Sequence, residues 1–489
     1  MNDSYILPIF IGIYMLVIAI IAVVAAKRSK NLETYSVGTR NVSPVWIAIA
    51  LSANMVSVAT FVINPGIVYL YGISGFLGYG VSSLLGILIS LITVTKLFRK
   101  VGDKYSALTL PHWIGKRFDS SGLQIFFAIV SFLLITFIVM ITVGVTQVVS
   151  TSLEISPILV MLVFMIFVFG YILVGGAVAH TMTNSFQGII MIVATFFMLS
   201  QALPWFSNGL DGFLSSLRLV DPVLAEPINP SSALFRNYFE VFFANFIVGI
   251  AVVMQPDIMS KALFLRSEKD VNKYLITAGI ISTLFFMLIG MGLIARLELQ
   301  GTELLRPDKA IASYLLTDGF SPLTRGIVVL GIICSSISTM EGLLLSISSI
   351  TSNDLALRFL KNIEVDESER KKKALNIGRI TLVVTGIISF FLSYDQFYNP
   401  SLSVAIFAQN GVYGLFSATF VPVLFGTFLK EVKASTIWLA SVSALLVHFG
   451  MYYLEISRYH NNPGVTVTFA ILSSVIVGVT AHNLNSART

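Results

Sequence analysis

The stretch Ala50-Leu-Ser-Ala-Asn-Met-Val-Ser-Val-Ala-Thr-Phe-Val-Ile-Asn-Pro-Gly66 decides how the rest of the chain is interpreted. It lies in an apolar segment, 43–71, that exceeds the roughly 20 helical residues needed to cross a bilayer. Four small polar residues stand near its middle: Ser52, Asn54, Ser57 and Thr60. Free backbone carbonyls at mid-membrane depth are tolerated only inside protein or beside a cavity. The pattern therefore predicts either an interrupted helix or a site of tight helix packing.

The composition is typical of an integral membrane protein. Hydrophobic residues make up 56% of the 489 residues and charged residues only 11%, whereas a soluble domain carries about 25% charged residues. The single cysteine, Cys334, excludes an internal disulfide framework and a multi-cysteine metal site. The sequence contains no Walker motif, nucleophile elbow or glycine-rich phosphate loop. We therefore expect neither an enzyme nor an ATP-driven pump.

Thirteen apolar segments have the length of a membrane-spanning helix. In order they are 5–26, 43–71, 73–98, 121–151, 155–179, 183–206, 235–260, 273–297, 321–352, 377–396, 399–429, 434–454 and 464–484. If the amino terminus lies outside, most of the 31 Lys and Arg residues fall in cytoplasmic connections. The positive-inside rule then predicts about 13 transmembrane helices, with an outer amino terminus and a cytoplasmic carboxyl terminus.

A second polar stretch lies in residues 331–354. Its small residues share one helical face through i, i+3 and i+4 spacing, and they are Ser335, Ser338, Thr339, Gly342 and Ser346. A lone serine in such a helix usually bonds to its own backbone. A whole face of hydroxyls opposite a second polar-interrupted helix instead favours an ion site, because Na⁺ needs several oxygen ligands.

Glu341 lies in the same apolar run, where a mid-membrane carboxylate costs a few kcal/mol and needs a partner or a role. Two interpretations stay open: a protonatable coupling group, and a structural acid satisfied by neighbouring helices. Further polar residues stand within predicted spans, and as a set they can line an aqueous cavity. They are Tyr79, Gln147, Asn184, Gln187, Asn245, Gln255, Gln409 and Asn410. Each alone is more typical of a helix–helix contact.

Several motifs, taken together and in order, resemble those of the sodium/solute symporter family, particularly its proline, pantothenate and acetate branch. They are Gly38-Thr-Arg40, Leu51-Ser-Ala53 with Pro65-Gly66, Leu108 to Phe118, Gly175-Gly176 with Thr183 and Gln187, Gln255-Pro256, Ser338-Thr339, and Asn353-Asp354. The resemblance implies an all-α membrane protein with the leucine-transporter fold. In one transmembrane domain, 1–489, it implies an extra helix at 5–26, inverted five-helix repeats at 43–206 and 235–429, and two extra helices within 434–484.

The resemblance also implies the site residues. The family's sodium site, carried over by position, uses the backbone carbonyls of Ala53, Val56 and Ser335 and the hydroxyls of Ser338 and Thr339. The candidate substrate-binding residues are Ser57, Thr60, Tyr79, Ser82, Gln147, Gln255 and Gln409, of which Thr60, Tyr79, Ser82 and Gln409 match substrate contacts of relatives. Asn184 stands where many relatives have an aspartate near a second sodium site, so we expect one coupling ion.

The expected function is sodium-coupled import of a small organic solute, preferably an organic acid or an amino acid, by alternating access. Proline transporters carry an aspartate at the position of Met55, which argues against proline itself. The expected partners are the solute and the lipid bilayer of the plasma membrane, without nucleic acid or an obligate protein partner. Two alternatives stay open: proton-coupled symport through Glu341, and solute sensing by a membrane protein.

Overall fold

The computed structural model describes residues 5–27, 44–105, 107–256, 258–259, 268–300, 304–362, 366–400 and 403–486. Within these ranges every regular element is a helix, which confirms the predicted all-α class. The Gly38-Thr-Arg40 motif and six of the 31 basic residues used for the predicted orientation lie outside the described residues. The number of crossings, the orientation and the repeat boundaries therefore stay predictions.

Sixteen helices matter for the site and its surroundings. They are α1 (Ile6–Ala26), α2 (Pro44–Met55), α3 (Ala59–Tyr71), α4 (Ile73–Thr95), α5 (Leu110–Arg117), α6 (Ser121–Leu153), α7 (Pro157–Ser200), α8 (Gly209–Val220), α9 (Phe239–Val252), α10 (Val271–Glu298), α11 (Pro307–Tyr314), α12 (Pro322–Asn362), α13 (Glu367–Tyr398), α14 (Val404–Phe428), α15 (Ala434–Tyr453) and α16 (Pro463–Ser486). Ten of them are apolar and long enough to cross a membrane, and the bent pair of α2 and α3 makes eleven in the described part of the chain.

The two predicted spans at 155–179 and 183–206 correspond to α7, in which two helical stretches totalling 44 residues meet at a kink. At about 1.5 Å per residue, this helix is roughly twice as long as one membrane crossing needs. Its backbone leaves helical geometry at Gly176, which has φ 54° and ψ −145°. The kink therefore divides α7 a few residues before the predicted boundary, at a glycine that can adopt a positive φ.

Burial separates central helices from lipid-facing ones. In the most apolar 18-residue stretch of α12 and of α14, 89% of the residues are buried inside the protein. The corresponding share is 22% in α1 and 28% in α13. A helix that is apolar on all sides but largely exposed must face lipid. The hydroxyl-rich helix α12 therefore lies in the centre of the fold, where its polar side chains meet other helices rather than hydrocarbon.

The predicted interruption of the second apolar segment is confirmed. Helix α2 ends at Met55, α3 begins at Ala59, and the axis bends by 56° between them. Ser57 starts the new helix: its hydroxyl accepts a hydrogen bond from the backbone N–H of Ala59 (3.1 Å), and its carbonyl accepts one from Thr60 (2.9 Å). Because α2 stops here, the carbonyls of its last turn have no partners further along the same helix.

The Gly176 kink generates a first prediction. Gly176→Ala should destabilise the protein by about 1–3 kcal/mol, because a side chain is strained at this backbone conformation. Gly170→Ala, in the same helix, is the matched control, since an added Cβ there meets no atom within 4 Å. The control should be neutral or stabilising by up to about 1 kcal/mol. Thermal unfolding in detergent measures both variants, and equal melting temperatures would show that the kink carries no strain penalty.

Candidate ion and solute site

The end of α2 and the hydroxyl face of α12 meet directly. The Ser338 hydroxyl donates to the carbonyl of Ala53 (2.7 Å). The Thr339 hydroxyl lies within hydrogen-bond distance of the carbonyls of Asn54 (3.2 Å) and Val56 (3.3 Å). All five residues are buried. The two stretches that the sequence marks as polar are therefore in contact at the helix interruption.

This contact depends on a close approach of the two helices. A Cβ added to Gly342 would lie 2.3 Å from the side-chain Oδ1 of Asn54, so a larger residue at this point of α12 would have to displace that side chain. Gly342 follows Thr339 by one turn and shares its face. Small residues thus bring the backbone of α2 within reach of the α12 hydroxyls, as is common between membrane helices.

The oxygens at this contact suit a monovalent metal ion. They comprise main-chain carbonyls from the end of α2 and two hydroxyls from α12, and none of them carries a formal charge. Among the described residues, no group of three His, Cys, Asp or Glu could hold a metal ion instead. Ser335 lies one turn earlier on α12 and is fully buried, and its own hydroxyl donates to the Ile332 carbonyl (2.8 Å).

Two of the predicted solute residues also come together. The amide nitrogen of Gln409, on α14, lies 3.2 Å from the hydroxyl of Tyr79, on α4. Both side chains are buried but not sealed, with 8% of Tyr79 and 9% of Gln409 exposed. The Tyr79 ring packs edge-on against Phe235, with ring centroids 5.1 Å apart. Phe235 was not predicted, because no periodic pattern links it to α4.

The remaining solute candidates make no hydrogen bond to this pair within the described residues. Gln147 donates to Thr151 in its own helix (3.1 Å), Ser57 caps α3, and Gln255 is buried beyond the end of α9. Thr60 and Ser82 are buried in π-helical turns, over Ala59–Ile63 and Phe76–Ser82. In the described part of the chain, no hydrogen bond joins any of these five to Tyr79 or Gln409. Turns of the π type are frequent at functional sites, which fits the position of Thr60, Tyr79 and Ser82.

The side chain of Glu341 contacts α7. Its fully buried carboxylate accepts hydrogen bonds from Tyr171, from Thr183 (2.7 Å) and from Gln187 (2.9 Å), and it lies 3.0 Å from Nδ1 of His180. These four residues lie on both sides of the Gly176 kink. Gln187 also donates to Tyr14 of α1 (2.9 Å). The contacts favour the structural interpretation of this acid, because three of these side chains of α7 donate hydrogen bonds to it.

Asn184 occupies the same helix as these donors but has a different environment. Its side chain is fully buried, and neither its amide nitrogen nor its amide oxygen has a hydrogen-bond partner among the described residues. A neutral amide provides one oxygen ligand without the charge of a carboxylate. Asn184 therefore offers a polar oxygen but no negative charge that would compensate a second cation.

The arrangement of helices has a counterpart among solved structures. A Na⁺-coupled sialic acid symporter in a substrate-bound outward-open state superimposes with a TM-score of 0.74 at 17% sequence identity. The match covers 99% of this chain and 98% of that chain, and it shows a common fold. The fold, with its long apolar helices and its interrupted membrane helix, defines the class of the protein: a multi-pass α-helical membrane protein.

Sequence comparison identifies the family. The chain is 24% identical to the sodium/pantothenate symporter of Haemophilus influenzae over 93% of this chain and 90% of that relative. It is 26% identical to the high-affinity proline transporter of Bacillus subtilis over 82% of both chains. The model of the sodium:solute symporter family matches residues 35–442, and the chain belongs to this family. The predicted family is thereby confirmed, and the protein is a transporter rather than an enzyme.

The environment of Glu341 generates a second prediction. Glu341→Ala should destabilise the protein by about 3–5 kcal/mol, because it leaves several buried donors of α7 without an acceptor. Glu341→Gln keeps one carbonyl oxygen and should cost less. Glu226→Ala, at an exposed position between α8 and α9, is the control and should have little effect. Thermal unfolding in detergent measures the series, and an unchanged melting temperature for Glu341→Ala would contradict a structural role.

Proposed function

We propose that this chain is a sodium-coupled symporter that imports a small organic solute by alternating access. The observation that carries the proposal is the contact between the carbonyls at the end of α2 and the hydroxyls of Ser338 and Thr339. The comparisons support the same interpretation, since the proteins named above include sodium-coupled symporters for pantothenate and for sialic acid.

The sodium ion is the co-transported substrate, and we assign its ligands to two helices. The carbonyls of Ala53, Val56 and Ser335 and the hydroxyls of Ser338 and Thr339 would hold it. Such an ion joins α2 to α12, which belong to different predicted repeats. If the ion binds one arrangement of the two repeats more tightly than the other, the population shifts towards the arrangement with the higher affinity. The size of the shift is set by the difference between the two affinities. Sodium binding thus favours the state that accepts the solute.

The solute would bind beside the ion, against Tyr79 and Gln409. Thr60 and Ser82 complete this proposed site, with Ser57, Gln147 and Gln255 as outer candidates. All of these side chains are neutral hydrogen-bonding groups, so they recognise a small polar molecule by its oxygens and nitrogens. An organic acid or an amino acid fits this set. The membrane potential supplies about 2.3 kcal/mol per charge per 100 mV for accumulation.

A pair of substitutions on α12 tests the sodium site. Ser338→Ala combined with Thr339→Val should raise the half-saturating Na⁺ concentration for uptake by about tenfold or more, because two ligands are removed. Ser336→Ala is the matched control, because the buried Ser336 hydroxyl donates to the carbonyl of Ile332 in its own helix (2.8 Å). This substitution should leave the half-saturating Na⁺ concentration unchanged. Uptake of radiolabelled pantothenate, proline and a panel of acids, amino acids, vitamins and sugars into proteoliposomes gives the measurement.

Three outcomes would overturn parts of this proposal. An unchanged half-saturating Na⁺ concentration in the double variant would show that the proposed ligands on α2 and α12 do not bind sodium. Uptake that persists without Na⁺ and collapses with a protonophore would establish proton coupling. Solute binding without any uptake would establish a sensor rather than a symporter.

The neutral amide of Asn184 leads to a prediction about stoichiometry. We expect one Na⁺ per solute, since this position lacks the carboxylate that would compensate a second cation. Reversal potentials measured in proteoliposomes at several sodium gradients give the ratio directly. Asn184→Asp should raise sodium affinity if an added carboxylate completes a second site. A ratio of two Na⁺ per solute in the unmodified protein would contradict the prediction.

A further inference from the structure

The ring of Phe235 is fully buried and packs against the tyrosine of the proposed solute site. Its centroid lies 5.1 Å from that of Tyr79 with an interplanar angle of 79°, and 6.0 Å from that of Tyr71 with an angle of 67°. Edge-to-face pairs at these distances are favourable because the positive edge of one ring meets the negative face of the other. Phe235 therefore restricts the orientation of the Tyr79 ring.

The backbone that precedes Tyr79 is shaped to admit this ring. A Cβ added to Gly78 would lie 2.8 Å from Cε1 of Phe235, and one added to Gly75 would lie 3.4 Å from Cε2. Gly78 immediately precedes Tyr79 within the π-helical turn of α4. The phenylalanine thus fills a place that any larger residue at position 78 would partly occupy.

The main chain of Phe235 is held in place from two sides. Its N–H donates to the hydroxyl of Ser232 (3.1 Å), and its carbonyl accepts from the N–H of Asn229 (2.8 Å). The carbonyl of the preceding residue, Leu234, accepts from the side-chain amide of Asn462 (3.0 Å). Asn462 lies in the turn between α15 and α16. This turn therefore contacts the segment that carries Phe235.

Charged and aromatic groups reinforce that contact. The Arg236 guanidinium pairs with the fully buried Glu240 (2.6 Å) and donates to the carbonyl of Arg458 (3.0 Å). The same guanidinium lies 4.7 Å from the ring centroid of Tyr459. Asn462 donates to Glu240 as well (3.0 Å). The pairing of Arg236 with Glu240 compensates the buried charge and fixes the residue next to Phe235 against the turn at 457–462.

We propose that Phe235 is a positioning residue for solute recognition. It holds the Tyr79 ring so that the hydroxyl stays beside Gln409, and the turn at 457–462 fixes Phe235 itself. Phe235 acts on the solute through Tyr79 rather than by touching it. The inference rests on the proposed function only in that Tyr79 and Gln409 are taken to contact the solute.

Uptake kinetics provide the first part of the test, with radiolabelled pantothenate and proline as probes. Phe235→Leu and Phe235→Ala should raise the KM for the solute by about three- to tenfold with little change in Vmax, because an aromatic pair is lost. Phe235→Tyr keeps the ring and should restore a KM close to that of the unmodified protein. Phe213→Ala is the matched control: its buried ring, in α8, stacks on Phe206 at 4.5 Å and should leave KM unchanged.

A double-mutant cycle tests whether the effect passes through Tyr79. In a Tyr79→Phe background, Phe235→Ala should change KM by far less than it does alone, because the hydroxyl that it positions is already gone. Independent, multiplicative effects of the two substitutions would overturn the proposal. A fall in Vmax or in thermal stability without a change in KM would also overturn it.

A spectroscopic measurement separates this inference from the proposed function. 3-Fluorotyrosine incorporated at position 79 reports the ring environment by ¹⁹F NMR, in detergent and without Na⁺ or solute. Phe235→Ala should shift and broaden the resonance, Phe235→Tyr should largely preserve it, and Phe213→Ala should leave it unchanged. Absence of sodium-dependent uptake would refute the proposed function alone. An unchanged ¹⁹F resonance in Phe235→Ala would refute the positioning role alone.

Discussion

The meeting of an interrupted helix with a hydroxyl-bearing helix is the constraint on which the rest of the structure depends. Inside a membrane, each backbone carbonyl that loses its helical partner needs another one, because lipid offers none. The end of α2 meets this need with the hydroxyls of Ser338 and Thr339 on α12. The same carbonyls are the proposed sodium ligands, so that under this proposal one contact would serve both folding and ion binding.

Helix α12 connects this contact to the rest of the fold. One of its faces meets α2, and Glu341 on another face accepts hydrogen bonds from α7. Through Gln187, the same cluster reaches Tyr14 of α1, a helix that is mostly exposed. A shift of α12 relative to either neighbour would break hydrogen bonds on that side. The helix is therefore well placed to couple the state of the α2 end to the packing of α7.

Much of the fold could be predicted from the sequence because the bilayer sets the length of an apolar helix. The predicted segments 5–26 and 434–454 differ by only one residue at an end from Ile6–Ala26 and Ala434–Tyr453. The interruption was predictable because small polar residues in the middle of a long apolar run leave room for backbone carbonyls to open. The Asn64-Pro65-Gly66 sequence does not form the break itself, since it lies within α3, directly after the π-helical turn over Ala59–Ile63.

The partners of Glu341 and Tyr79 could not be predicted in the same way. The donors to Glu341 lie more than 150 residues earlier in the chain and carry no spacing that marks them as its neighbours. Phe235 lies at the edge of a predicted span, where an aromatic residue is common. Only the three-dimensional structure shows that its ring packs against Tyr79. Periodicity reports which face of a helix is apolar, but it does not report which distant helix covers that face.

The π-helical turn at Phe76–Ser82 has a consequence for how Tyr79 is aimed. A turn of this type contains one residue more than an α-helical turn, so every side chain beyond it is displaced around the axis by about 100°. The packing of α4 against its neighbours and the direction of Tyr79 are therefore set by different parts of one helix. An insertion or deletion of a single residue in this turn would rotate Tyr79 relative to the packed surface of α4, while the helix would stay equally apolar.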